Sequence, residues 1–272
     1  MQNTPTMTDR TALLRHRARA DQNGGLFLQE TALEDVQDRL TLVNRGFTKV
    51  AIVCAFSDLW RRVAPHADIL ADEDVLDLET GAYDLVIHAM CLHWANDPVG
   101  QVIQCRRALK GDGYFLSVSF GGQTLHELRA AMAEAEAQVS GGLSPRVVPM
   151  GEIRDLGALL QRAGLALPVA DAVPLKVTYE TPWHLMRDLR AMGEANALHG
   201  RLRRPTGRNV LLRMAEIYNS EYMEDGRIPA TFELIFLSGW APDASQPQPL
   251  RPGSAGARLA EALGTDETPL KD

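Results

Sequence analysis

One stretch, Tyr83–Gly122 (YDLVIHAMCLHWANDPVGQVIQCRRALKGDGYFLSVSFGG), limits what this chain can fold into more than any other. YDLVI is a continuous apolar run of the kind shown by a strand buried on both faces. Asn96-Asp97-Pro98 supplies a helix cap and a first-turn proline, and Val99, Val102, Ile103 and Leu109 recur at helical spacing. Lys110-Gly111-Asp112-Gly113 predicts a turn, after which Tyr114–Phe120 alternates as a second strand. Strand, crossover helix and parallel strand make one right-handed βαβ unit. The chain is therefore expected to be α/β with a mainly parallel sheet.

The flanking segments extend this unit. Residues 1–8 read as disordered, and Asp9–Arg19, with four arginines and His16 around Leu13 and Leu14, predicts a basic helical arm whose default role is a solvated face. Leu33, Val36, Leu40 and Val43 predict a packed helix over Phe27–Val43. Lys49–Ala55 reads as the first buried strand and Ala67–Ala71 as the next, with only about ten residues between them. Downstream, Thr124 is expected to cap a helix, Ile153–Leu160 to form another stopped by Gly164, and Pro174–Glu180 to alternate as a strand. Thr181-Pro182 starts a helix whose Trp183, Met186, Leu189 and Met192 stripe reads as core. Val210, Leu211, Met214 and Ile217 predict a helix, Glu224-Asp225-Gly226 a turn, and Ala230–Trp240 an antiparallel last strand. The expected organisation is a helical arm at 1–48, an α/β domain at 49–240 and a flexible tail at 241–272 with a short helix at Leu259–Leu263.

The net charge of −7 argues against general nucleic-acid binding. No apolar run reaches membrane-spanning length and no signal-peptide core is evident, so a soluble, cytoplasmic protein is expected. Cys54, Cys91 and Cys105 lack CxxC pairing and read as structural thiols. Asp68–Glu79 holds six acids, and a solvated loop is the default reading over a metal site. Arg201–Arg213 holds five arginines and no acid, which suits either an acidic partner or an exposed basic loop.

No glycine occurs between Gly46 and Gly81, although a nucleotide-binding α/β protein places a glycine-rich turn after its first strand. Glycine there lets the backbone bend and approach the ligand without Cβ contacts. Here Phe56-Ser57-Asp58-Leu59-Trp60 puts two aromatic side chains in that space. The short connection also leaves no room for a second strand ending in a ribose-binding acid.

The central unit with LHWAND (Leu92–Asp97) resembles class I methyltransferases, which bind S-adenosylmethionine on a Rossmann-like fold. FGGQTLHELR (Phe120–Arg129), DLGALLQRAG (Asp155–Gly164), LMRDLRAMGEANA (Leu185–Ala197) and EDGRIPATFELIFLSGW (Glu224–Trp240) are similar to the bacterial relatives of mitochondrial complex I assembly factor 5. That family is credited with hydroxylating an arginine of the iron–sulfur subunit beside the quinone site, and the malonyl-carrier-protein methyltransferases are more distant kin. The resemblance implies S-adenosylmethionine as cofactor. It places the adenine-side acid at Ala71-Asp72-Glu73 and the donor-side pair at His93-Trp94, giving Asp72, Glu73, His93 and Trp94 as cofactor-binding candidates. It also implies a respiratory complex I subunit, or an active paralogue, as partner. The family's glycine loop falls on Val53–Leu59 and is not matched, and its second strand is absent. A lost charge-assisted hydrogen bond costs about 1–3 kcal/mol. With the steric penalty added, cofactor binding weakens on the order of a thousandfold.

Two readings stay open on the residues. An enzyme would use Asp72, His93 and Trp94 in a remodelled site, with Glu194 and Asn196, expected on a helix, facing the substrate. A non-catalytic binding protein would keep the family's partner surface over a decayed cofactor site. His88 reads as a satisfied core histidine, and Gly121-Gly122 as a place where backbone comes close to a substrate or merely turns.

Overall fold

The computed structural model describes residues 6–247 and residue 264. The chain divides into two compact units, Met1–Pro242 and Asp243–Asp272. In the second, Ser245 donates from its backbone N–H (2.9 Å) and its hydroxyl (2.7 Å) to Asp243 Oδ1. The helix expected at Leu259–Leu263 lies outside the described residues.

The first unit runs α1 (Arg10–Arg17), α2 (Phe27–Leu42), β1 (Val50–Cys54), α3 (Ser57–Trp60), β2 (Asp68–Leu70) and β3 (Tyr83–Ala89). A 3-10 turn at Leu92–Trp94 leads to α4 (Pro98–Ala108), β4 (Leu109–Phe120), α5 (His126–Ser140) and α6 (Ile153–Arg162). β5 (Ala166–Tyr179), α7 (Pro182–Ala191), α8 (Arg208–Tyr222) and β6 (Ile228–Trp240) complete it. The sheet order is β2-β1-β3-β4-β6-β5, with β2, β1, β3 and β4 parallel and β6 antiparallel to both its neighbours. This is the expected α/β, Rossmann-like arrangement. β2, which leads into Ala71-Asp72-Glu73, pairs directly with β1, and their connection holds only the four-residue α3.

Both faces of the sheet are covered, which explains the continuous apolar strand sequences. Ile52, Ile87, Leu116 and Leu234 point to a core shared with α2, α5, α7 and α8. Val53, Val86, Phe115 and Leu237 point to a second core under α4 and α6. A third, smaller cluster joins Ala12 and Leu13 of α1 to Trp94, Val148, Ala197 and Leu198.

Several boundaries differ from expectation for identifiable reasons. Residues 6–8 are ordered: Asn96 Oδ1 accepts the N–H groups of Met7 (3.0 Å) and Thr8 (2.9 Å), and Thr8 bridges Leu198. The Lys110–Gly113 turn is instead part of β4, accommodated by a register shift against β3 and by Asp112 at φ 57°. Thr124 does not cap α5. Its hydroxyl serves strand β6 instead, accepting from Glu233 N–H at 3.1 Å, and Leu125 at φ 55° precedes the helix. β5 starts at Ala166, well before Pro174, because it pairs along the length of β6. Trp183 is 41% exposed, so the core stripe of α7 consists of Leu185, Leu189 and Met192 without it. The acids of 68–79 do not converge: Asp68 pairs with Lys49 at 2.7 Å while Asp72 turns inward. Among the described residues no helix is long and apolar enough to cross a membrane, and no group of three metal-ligating side chains forms.

Candidate functional site

In open α/β sheets the ligand crevice lies outside the carboxyl ends of the strands where the connections change direction. Here that point falls between β1 and β3, since the chain steps outward to β2 and then back across β1. β1 runs through Phe56 into α3, and both expected aromatics are buried: Phe56 is 4% exposed and Trp60 0%. Trp60 Nε1–H donates to Gln29 Oε1 on α2 at 2.9 Å, so the indole is fixed at its polar edge as well as packed. Aromatic side chains of this chain occupy the place of a glycine loop.

On the other side of the crevice, Asp72 is 4% exposed while Glu73 faces solvent. The N-terminal arm reaches Asp72. Arg17 Nη1 lies 2.8 and 2.9 Å from its two carboxylate oxygens, and Arg10 follows at 3.2 and 3.3 Å. Arg10 and Arg17 sit two helical turns apart on one face of α1, so both can meet one acceptor. Arg17 is itself buried and points its second terminal nitrogen at Cys91 Sγ, 3.7 Å away. Burial raises the Asp72 pKa, but Arg17 and Arg10 outweigh it and hold the carboxyl below its usual range. Burial likewise opposes the Arg17 charge, yet Cys91, Asp72 and Glu194 carry its pKa above the ordinary arginine value. The adjoining thiols are inert: burial pushes Cys54 up to about 12 and Cys91 well up.

His93 and Trp94 stand on the 3-10 turn after β3, buried at 7% and 2% exposure. Their partner is Glu194, whose Oε2 accepts from Trp94 Nε1–H at 2.7 Å and lies 3.3 Å from His93 Nε2. Glu194 and Asn196 are not on a helix as expected. α7 ends at Ala191, Gly193 takes φ 77°, and the Glu194 N–H closes back on Leu189 O at 2.9 Å. That glycine-terminated cap swings Glu194 under the indole. Burial raises the Glu194 pKa, but His93, Arg17 and Trp94 hold it low, so the carboxylate is charged. Arg10, Arg17, Asp72 and Glu194 thus form a charge-balanced cluster around the crevice. His88 lies deeper and fully buried, its Nε2 2.8 Å from Gln101 Oε1 but its Nδ1 without a partner, so the expected satisfied core histidine is met at one ring nitrogen.

A cavity of about 470 Å³ opens beside this cluster, lined by Trp94 and Glu194 and by Phe120, Leu128, Met132 and Met186. A second of about 430 Å³ adjoins it, the two sharing Arg146, Pro205 and Thr206. Neither is lined by Phe56, Trp60, Arg17 or Asp72. Gly121 and Gly122 do not open toward a ligand. A Cβ on Gly121 would strike Glu233 and Ile235, and one on Gly122 would strike Glu152, so their close approach is to this chain's own side chains.

The residues expected to hold S-adenosylmethionine are engaged within this chain. Phe56 and Trp60, where a glycine loop would turn, are packed into the core, and both Asp72 oxygens are already bonded to Arg17 and Arg10. The pairing of Arg10 and Arg17 with Asp72 escaped the sequence reading, although their seven-residue spacing was a usable signal. The role of Thr8, whose hydroxyl donates to Trp94 O at 2.8 Å, carried no such signal.

The family described as "Methyltransferase domain" matches residues 32–117. The chain is 37% identical over 198 residues to "Arginine-hydroxylase NDUFAF5, mitochondrial" of Danio rerio, covering 72% of this chain and 61% of that protein. For the Homo sapiens counterpart the figures are 38% over 198 residues, 72% and 57%. "Malonyl-[acyl-carrier protein] O-methyltransferase" of Laribacter hongkongensis is 35% identical over 186 residues, covering 68% of this chain and 60% of that protein. The chain therefore spans about three-fifths of the length of these relatives. The solved structure of the YcgJ protein from Bacillus subtilis aligns with a TM-score of 0.49 at 14% identity, covering 78% of this chain and 99% of that one.

Proposed function

Because this chain belongs to the class I methyltransferase superfamily as a relative of the NDUFAF5 arginine-hydroxylases, we propose that it is a non-catalytic member that recognises a protein partner. The reading rests on one arrangement: Phe56 and Trp60 are buried where a glycine loop would turn, and Asp72 is held in an ion pair by Arg17. The family's later sequence motifs remain intact and bind one another. Leu125 N–H donates to Thr231 O at 2.7 Å, Gly121 N–H to Glu233 O at 2.8 Å, and Thr231 N–H to Glu127 Oε1 at 3.1 Å. These bonds join FGGQTLHELR to ATFELIF.

By the same resemblance the partner is the arginine-bearing iron–sulfur subunit of respiratory complex I, met in the cytoplasm during assembly. An active paralogue is the second candidate partner. Asp72, which in an enzyme would face the adenine, anchors the arm here, and His93 and Trp94, which would lie beside the methyl donor, anchor the Glu194 loop. An enzymatic reading would instead have the arm withdraw to admit S-adenosylmethionine. The test is to mix the purified chain with the purified iron–sulfur subunit, with and without S-adenosylmethionine, and follow association and the subunit's intact mass. Association at micromolar concentration with no mass increase is expected. A methyl- or oxygen-sized mass increase that depends on this chain would sink the non-catalytic reading.

A further inference from the structure

The five arginines of 201–213 are not equivalent. Arg201 pairs with Asp9 at 2.9 Å and Arg203 approaches the same carboxylate at 3.6 Å, while Arg213 pairs with Glu216 at 3.0 Å. Arg204 and Arg208 make no ion pair among the described residues, and both line the 430 Å³ cavity with Thr206 and Asn209. Arg146, shared by both cavities, is neutralised by Glu136 and donates to Thr206 Oγ1 at 2.7 Å. Arg190, exposed and likewise without an ion pair among the described residues, lines the 470 Å³ cavity. Unpaired cations thus border an apolar cavity in a chain whose net charge is −7.

The wall of the larger cavity includes Leu125, Leu128, Met132, Met186, Leu211 and Phe232. Its volume falls within the range of sites that bury a small ligand, and flexible methionines let such a wall adapt to a chain of varying shape. The two cavities share Arg146, Pro205 and Thr206 in their linings, and one molecule would reach both by passing this shared wall. Its apolar body would lie against Leu128 and Met186, and its anionic head would lie between Arg204 and Arg208, which offer planar hydrogen-bond forks suited to phosphate or carboxylate. We propose that the joined cavities form a binding site for a single-chain anionic amphiphile: a linear apolar tail carrying a phosphate or carboxylate head. The site borders the candidate cofactor crevice at Trp94 and Glu194 but is not lined by Phe56, Trp60, Arg17 or Asp72.

Calorimetric titration of the full chain with monomeric dodecyl phosphate tests it, against decyl phosphate, inorganic phosphate, dodecyltrimethylammonium and phosphatidic-acid vesicles. Micromolar binding of dodecyl phosphate is expected. Removing two methylenes should weaken it about tenfold, since each buried methylene contributes close to half a decade. Inorganic phosphate and the cationic amphiphile should bind at least tenfold more weakly than dodecyl phosphate. The exposed double variant Arg204→Glu/Arg208→Glu, which leaves the core untouched, should lose tenfold or more with an unchanged thermal midpoint. Leu128→Trp, which fills the cavity, should abolish binding. Equal binding of the cationic and anionic amphiphiles, or full affinity in the double arginine variant, would overturn the proposal. So would vesicle binding without binding of the monomer, which would reassign the arginines to a membrane surface.

Discussion

Replacing Asp72 with asparagine is expected to destabilise the chain by about 3–5 kcal/mol, because it leaves the Arg17 guanidinium buried without its counter-charge. Arg17 is 7% exposed, its Nε already lacks a partner, and Cys91 is a weak acceptor, so the remaining support is the charge of Glu194, which makes no hydrogen bond to Arg17. Arg10, more exposed at 23% of its side chain, can rotate into solvent, and most of the loss is assigned to Arg17. Urea unfolding should register the change as a shift in midpoint, and hydrogen exchange should show α1 released first. The companion variant Arg17→Met/Asp72→Leu removes both charges and is expected to recover most of the stability, since a buried ion pair is often no better than apolar packing of similar volume. A full loss in the double variant would mean that packing, not charge, sets the cost.

The same pair fixes an acid dependence. The folded Asp72 pKa lies below its unfolded value, so its contribution is fully present above the unfolded value, near pH ~3.9, and is lost as pH falls through the lower folded value. Stability measured from pH 6 downward should therefore fall more steeply for the native chain than for Asp72→Asn in that acid window. Parallel curves would contradict the assignment.

Trp60→Ala is expected to cost about 3–5 kcal/mol as a fully buried large-to-small change. It also strips Gln29, itself 3% exposed, of the indole donor. Trp60→Phe, which keeps most of the volume and loses only the hydrogen bond, should cost markedly less. Thermal denaturation separates the two. Neither variant is expected to gain S-adenosylmethionine binding, because the Arg17–Asp72 pair still closes the other side of the crevice. A small effect of Trp60→Ala would show that the indole is not a structural plug.

The parts of this structure that were legible in the sequence are those set by local pattern. The apolar runs of β1 and β3, the Asp97-Pro98 start of α4 and the left-handed Gly164 after α6 announce themselves within a few residues. The short connection at 56–66, which leaves no room for an intervening strand, agrees with the direct β1–β2 pairing. What stayed hidden depends on contacts between distant segments. Thr124 reads as a helix cap until β6, more than a hundred residues on, claims its hydroxyl. Asp72 sits in a run of acids that reads as a solvated loop, and only the fold brings Arg17 to it. Glu194 was visible as a candidate, yet its placement under Trp94 depends on Gly193 ending α7. Local propensity locates elements, while pairing across the sheet decides which polar groups are already spent.

The central claim is that this chain's own side chains fill the cofactor crevice. Calorimetric titration of the purified native chain with S-adenosylmethionine and S-adenosylhomocysteine tests it most directly. The account predicts flat traces up to millimolar ligand for both. Saturable micromolar binding of either would show that Arg17 and the aromatic pair yield to the cofactor, and would contradict the account.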